Sequence, residues 1–247
     1  MTHQLFLGEP SLVAAAVEGA SLLLDGDEGR HAAAVPVRDE VALPHPQAHH
    51  GPRVLLEATD VDRSWVRGTV LEVVDEPAPA TRFVLVQALA KGDRDEQAIE
   101  AATELGVDEI VPWQAERSVV VWRGERAAKS LAKWAAVVTR ATKQSRRARV
   151  PLTSPAVGLA PLVARVGESA LTLVLHEDAT EPLATVELPD EGDVLLVVGP
   201  EGGISEREVE ALRGAGARPV RLGSTILRAS SAGPAGLAVL SAGARWR

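Results

Sequence analysis

The segment "VVGPEGGISEREVEAL", residues 197–212, holds the residue types that most directly imply chemistry. An apolar run stops at Gly199-Pro200-Glu201-Gly202-Gly203, and a helix is expected immediately after it. Ser205 and Glu208 have the spacing of a capping box, so the helix starts beside the loop and its first amides face back toward it. Such an end attracts anions. The loop nevertheless lacks the Gly-Lys-Ser/Thr of a P-loop, and its glycines miss the dinucleotide spacing. Glu201 also puts a carboxylate where a phosphate would sit. Bare backbone with a negative charge suits a neutral or cationic adenosine compound. The alternative is a plain tight turn that uses glycine for its backbone freedom.

Two further stretches could do chemistry. In "RLGSTILRASSAG", residues 221–233, a strand ends at Leu222-Gly223 and an irregular turn leads to a helix of small residues. Such a helix allows another backbone or a ligand to approach closely. Arg228 stands just before it, either as a functional cation or as an ordinary exposed loop arginine. Farther back, Arg126, Lys129, Lys133, Arg140, Lys143 and Arg147 fall at helical spacing on one face, with Leu131, Ala135, Val138 and Thr142 on another. The chain as a whole carries a net charge of −8, yet Arg117 to Arg149 contains ten basic residues and one acid, Glu125. The remainder holds 16 basic and 33 acidic residues. One concentrated basic segment in an acidic protein is a directed face for a polyanion, and phosphate-backbone contact is favoured over simple solvation.

Several classes are disfavoured. With no Cys there is no disulfide, no thiolate nucleophile and no zinc-thiolate site. No Gly-x-Ser-x-Gly surrounds any serine, against an α/β-hydrolase. Tyr is absent and aromatics are 3%, against a base-stacking sheet. His45, His49 and His50 lie in a Pro-rich loop without ligand spacing, and His31 reads as a structural or surface residue, so no metal is expected. No apolar run approaches the ~18 residues of a membrane span, and "MTHQLFLGEP" has no basic flank leading into an apolar stretch. A cytoplasmic protein without membrane association is expected.

The elements that must position these residues fall into two patterns. "VVDEPAPA" is a Pro/Ala-rich break, which sets expected domains at 1–76 and 77–247. Before the break, "VLLEATD" and "WVRGTVLEVV" alternate as strands, with one short helix near Pro10 to Glu18. After it, strands at "RFVLVQAL", "VDEIVPW", "SVVVW", "ALTLVLHE", "DVLLVVGP" and "RPVRLG" alternate with helices at "DRDEQAIEAATELG", "SEREVEALRGAG", "SSAGPAGLAVLSAGARW" and a long basic one ending at Pro151. That alternation predicts an α/β fold, a mostly parallel sheet with helices on both faces.

Together, "VGPEGGISEREVEAL…LGSTILRASSAG", with "ALAKGDRDEQAIEAATELGVDEIVPWQAERSVV" and "KWAAVVTRATKQSRRARVP", resembles the RsmE family of 16S ribosomal RNA (uracil-N3)-methyltransferases, of the knotted SPOUT superfamily. The resemblance covers roughly residues 81–240. It implies an N-terminal PUA-like β-barrel that assists RNA binding, a C-terminal domain with a trefoil knot, and a homodimer; general topology rules would argue against any knot. It further implies that S-adenosylmethionine is held by three loops: Leu175, His176 and Glu177; Val198, Gly199, Pro200, Glu201, Gly202 and Gly203; and Leu222, Gly223, Ile226, Leu227, Ser231 and Ala232. Its sulfonium tolerates Glu201. Arg228 is the expected catalytic cation, with Arg117 supplied by the partner subunit as a second. Arg30, Lys133, Arg140, Lys143, Arg146 and Arg147 are expected to contact 16S ribosomal RNA or the small ribosomal subunit. Ser230 stands where the family commonly has an acid, and "RHAAAVPVRDEV" is shorter than the family's segment and lacks its arginine. A ribose 2′-O-methyltransferase and a non-catalytic RNA-binding module are the rival readings.

Overall fold

The computed structural model describes residues 4–34, 40–44 and 51–246. The chain divides into two compact units, one of residues 1–78 and 142–150, the other of 79–141 and 151–247.

The first unit runs β1 (Gln4–Leu5), α1 (Pro10–Ala14), β2 (Ser21–Leu24), α2 (Gly26–Ala34), β3 (Glu40–Pro44), β4 (Gly51–Asp62) and β5 (Trp65–Glu76). Its sheet has the order β1-β3-β4-β5-β2, with β1 and β3 parallel and the other pairs antiparallel. The two-residue alternation places Val54, Leu56, Val66 and Val70 on the inner face, where Phe6, Val13, Leu24 and Ala32 complete a core. Helix α2 was not expected. Its sequence is broken by Gly29, but that glycine is required by packing: a Cβ there would lie 2.5 Å from Leu24 O and 2.7 Å from Ser64 O. The segment "ALPHPQAHHGP", expected as a loop over 42–52, is strand at both ends, in β3 and β4; its residues 45–50, and 35–39 of the shortened segment, lie outside the described residues.

The second unit runs β6 (Thr81–Ala88), α3 (Arg94–Glu104), β7 (Glu109–Trp113), α4 (Glu125–Gln144, whose last residues belong to the first unit), β8 (Leu152–Thr153), α5 (Leu159–Glu168), β9 (Leu171–Leu175), β10 (Gly192–Val198), α6 (Glu206–Gly214), β11 (Arg218–Val220) and α7 (Ala229–Ala244). Six strands form one parallel sheet in the order β11-β9-β10-β6-β7-β8. Central strands are covered on both faces, which explains their unbroken apolar sequences. Val84, Val86, Leu195 and Val197 pack with Leu162 of α5 and Leu212 of α6. On the other face α7 lies so close that a Cβ at Gly236 would be 2.7 Å from Leu196 Cδ2. The small residues of α7 therefore serve a close approach to the sheet.

Two expectations need correction. "SVVVW" is not a strand: Val119 and Val121 are exposed, and Gln114 holds the segment as a loop. The Gln114 amide donates to Val120 O at 2.9 Å and accepts from Trp122 N at 3.1 Å, replacing a ladder neighbour. The basic helix also stops earlier than expected. Gln144 ends it and Arg146 has a φ of 56°, so Arg146 and Arg147 leave the helical face. Helix α5 and strand β8 were missed; β8 spans only two residues.

Candidate functional site

The chain proceeds outward from β6 through β7 to β8, then returns to the other side of β6 with β10, β9 and β11. A reversal of this kind opens a crevice beyond the carboxyl ends of the strands. A cavity of about 500 Å³ lies there, within the usual size of a small-molecule site. Three loops line it, those following β9, β10 and β11.

The β10 loop is shaped by its own chemistry. Gly203 has a φ of +74° and its N–H donates to Pro200 O at 2.9 Å, a tight turn that needs glycine. Helix α6 then begins with the expected capping box: Ser205 Oγ accepts from Glu208 N at 3.2 Å, and Glu208 Oε2 accepts from Ser205 N at 3.0 Å. Glu208 is fully buried, and its other oxygen accepts from Glu116 N at 2.8 Å. Glu116 in turn accepts from Ser205 Oγ at 2.5 Å and from Arg207 Nε at 2.6 Å, and these donors hold its carboxyl below the usual range. The cap thus clamps the 114–118 segment onto the glycine loop.

That clamp also holds Arg117 beside the glycine loop. This chain's own Arg117 lines the cavity, donating from Nη1 to Gly202 O at 3.1 Å. A Cβ at Gly202 would lie 3.1 Å from Arg117 Cβ, so glycine is what allows the two segments to meet. Glu201 differs from expectation. It is not an uncompensated charge, because Arg94 Nη1 and Lys91 N both donate to its Oε1 at 3.1 Å. Burial acts to raise its pKa, but its own backbone, Lys91 N and Arg94 outweigh that and hold it below the usual value. Glu201 therefore gives no reason for the cavity to reject an anion.

The other two loops are joined to each other. His176 N donates to Val220 O, Arg221 N to Glu181 O and Leu183 N to Arg221 O, at 3.0, 2.9 and 2.8 Å. The His176 ring accepts at Nδ1 from Asp178 N at 3.3 Å. Arg228 takes the N-cap position of α7, its carbonyl accepting from Ser231 N and Ala232 N.

Leu175, His176, Glu177, Gly199, Pro200, Glu201, Gly202, Gly203, Leu222, Gly223, Ile226, Leu227, Arg228, Ala232 and Arg117 all line the cavity. Val198 and Ser231 do not: Val198 is buried at the end of β10, and Ser231 is exposed in the first turn of α7. The lining is completed by Arg94, Ile204, Val220 and Arg221, which sequence reasoning missed, and by Ser224, Thr225 and Ala229, which lie inside the third expected loop. Ser224 and Thr225 sat inside a quoted motif, but Arg94 resembled any first-turn helix residue.

The expected RNA contacts are not brought together in the same way. Lys133 is paired with Glu96 at 2.5 Å, which raises its pKa. Lys143 is three-quarters or more buried and bound to both oxygens of Glu28 at 2.7 and 2.8 Å, with the Phe6 ring beneath it. It is therefore part of the first unit's interior and is corrected as an RNA contact. Arg30 bonds Asp27 on α2. Arg140 and Arg146 are exposed, and Arg147 is half-buried.

Residues 76–241 match the family signature of an RNA methyltransferase domain. The ribosomal RNA small subunit methyltransferase E of Mycobacterium tuberculosis is 42% identical over 236 residues, covering 92% of this chain and 89% of that protein. The chain belongs to that family. The methyltransferase E of Bacillus subtilis is 30% identical, with 71% of this chain and 72% of that protein covered. A crystal structure of the methyltransferase E of Neisseria gonorrhoeae, bound to S-adenosyl methionine, matches with a TM-score of 0.82 at 27% identity over 98% of each chain. The fold is thus the SPOUT-type α/β fold of the methyltransferase E family, with its smaller β-rich N-terminal part.

Proposed function

We propose that this chain is an S-adenosylmethionine-dependent methyltransferase that modifies N3 of a uridine in 16S ribosomal RNA, acting on the RNA or on the small ribosomal subunit. Family membership supports methyl transfer to ribosomal RNA. The observation that carries the cofactor assignment is the cavity beyond β9, β10 and β11, lined by the three loops that the resemblance assigns to S-adenosylmethionine. The residues fit such a group. Gly199, Gly202 and Gly203 present bare backbone, and a Cβ at Gly223 would meet nothing within 4 Å, leaving open space at the lining.

S-adenosylmethionine supplies an activated methyl group on a sulfonium. The protein's part is to position and to stabilise. N3 of uracil is a weakly acidic imide, so charge develops on the base as its proton leaves. Arg228, fixed at the mouth of α7, and Arg117, held against Gly202, are the cations that stabilise this charge. A paired N3 is hydrogen-bonded to its partner base, so the target must be unpaired or flipped out. Arg221 gives the lining further positive charge suited to a phosphodiester, while Arg94 is paired with Glu201.

The chain is further read as a homodimer. At the rim of the cavity they line, Ile226 is 80% exposed and Leu227 is 39% exposed, apolar surface that a second copy would cover. The first unit is read as a PUA-like RNA-binding domain. Arg30, Arg126, Arg140 and Arg146 are among the exposed cations that would contact the phosphate backbone. No helix among the described residues is long and apolar enough to cross a membrane, consistent with a cytoplasmic enzyme.

The deciding experiment is incubation with labelled S-adenosylmethionine and small subunits lacking the modification, followed by nucleoside analysis. Label in 3-methyluridine is the expected result; label in a 2′-O-methyl nucleoside, or none despite cofactor binding, overturns the N3 assignment.

A further inference from the structure

The glycine loop after β10 offers few points by which it can be held. Gly203 N donates to Pro200 O at 2.9 Å, which closes a tight turn with Glu201 and Gly202 at its two corners. Of residues 199–203, only Glu201 has a side chain that can hydrogen-bond. A distant part of the chain takes hold of it. Glu201 Oε1 accepts from Lys91 N and from Arg94 Nη1, both at 3.1 Å, across 110 and 107 residues of sequence. Gly92, with a φ of +73°, lets the chain turn between these two donors so that both reach one oxygen. Arg94 is the first residue of α3, a helix fixed by the burial of Ala98, Ile99, Ala102 and Thr103. The other corner is held separately, by Arg117 Nη1 donating to Gly202 O at 3.1 Å.

We propose that Arg94 is a positioning residue for the cofactor site: through its bond to Glu201 it holds the glycine loop in the conformation that receives S-adenosylmethionine. This inference rests on reading the cavity as the site of that cofactor.

A loop with three glycines samples many backbone conformations when free, so ordering it at the moment of binding would subtract from affinity. Bracing it beforehand removes that cost. Stability explains the pair poorly. The Arg94 and Glu201 side chains are 43% and 29% exposed, and an ion pair this open to solvent adds little to folding. Both side chains line the cavity, so the brace acts at the site itself. The donor at Lys91 is backbone and survives any side-chain change, which leaves Arg94 as the part of the grip that substitution can remove.

The test is calorimetric titration of the full chain with S-adenosylmethionine at pH 7.5, comparing wild type with Arg94→Ala, Glu201→Ala and the double variant. If about one loop in ten stays competent without the brace, apparent affinity falls about tenfold, the loss expected for Glu201→Ala, which releases both donors. Arg94→Ala leaves the Lys91 bond in place and should lose about fivefold. The double variant should match Glu201→Ala, because two residues that act through one bond do not add. A second readout needs no cofactor: the Gly203 amide, which closes the turn, should exchange with solvent several-fold faster in Arg94→Ala than in wild type, while the amides of β10 keep their wild-type rates. The proposal is overturned if Arg94→Ala binds like wild type or if Gly203 exchange is unchanged. It is also overturned if the double variant binds more weakly than Glu201→Ala, which would make Arg94 a direct ligand contact. Absence of cofactor binding by wild type would instead overturn the cavity assignment, and Gly203 exchange would then decide the brace alone.

Discussion

At position 202 a side chain has nowhere to go except into Arg117. A Cβ would already lie 3.1 Å from Arg117 Cβ and 3.4 Å from Arg117 O, so the two branches of valine must push the 114–118 segment away. Gly202→Val should weaken S-adenosylmethionine binding by about tenfold or more, judged by calorimetry, with the circular dichroism spectrum unchanged, because binding sites lose heavily from small misplacements. Arg228 calls for a different signature. Its guanidinium is assigned to charge that develops only during transfer, so Arg228→Ala should lower kcat by about a hundredfold while cofactor Kd stays within about twofold. The glycine loop and Arg228 could be picked out because their residue types are unusual at their spacing. Arg94 could not, since its value comes from Glu201, 107 residues away in sequence. The same holds in reverse for Lys143: it has the spacing of a surface cation, and only the fold shows Glu28 beside it.

Among elements, the start of α6 carries more than its helix. Ser205 caps α6 and also donates to Glu116, so Ser205→Ala should cost about 1 kcal/mol, seen as a drop of about 2–4 °C in Tm, and should loosen Arg117 as well. At the opposite end of the sheet, Glu109 of β7 is buried and receives Arg165 at 2.5 Å, Arg82 at 3.2 Å and Ser154. Burial acts to raise its pKa, but Arg165, Ser154 and Arg82 together hold it below 4.5. A depressed folded pKa gives stability that is present above about 4.5 and lost as pH falls through the lower folded value. Glu109→Gln should therefore melt below wild type at pH 7, and the gap should close in acid. The alternating apolar runs announced β6, β9 and β10 because a strand covered on both faces needs apolar residues throughout. "SVVVW" carried the same signal and misled, since β-branched composition does not reveal whether a ladder partner is available, and Gln114 provided a substitute.

For the whole molecule, the exposed Ile226 and Leu227 lead to a prediction about assembly. Sedimentation velocity should show a dimer, and Ile226→Asp should shift it toward monomer by placing a charge on the covered face. The α/β class, the strand–glycine loop–helix unit, the capping box and a basic helix were all determined by the sequence alone, because each depends on residues a few positions apart whose local physics is the same in any setting. The strand order, the return of β10 to the free side of β6 and the cavity it opens were decided only by the tertiary structure. So were the placement of Arg117 within its own site and the inclusion of residues 142–150 in the first unit. These depend on which buried surfaces and charges meet across many tens of residues, and a linear pattern of residue types carries no record of such pairings.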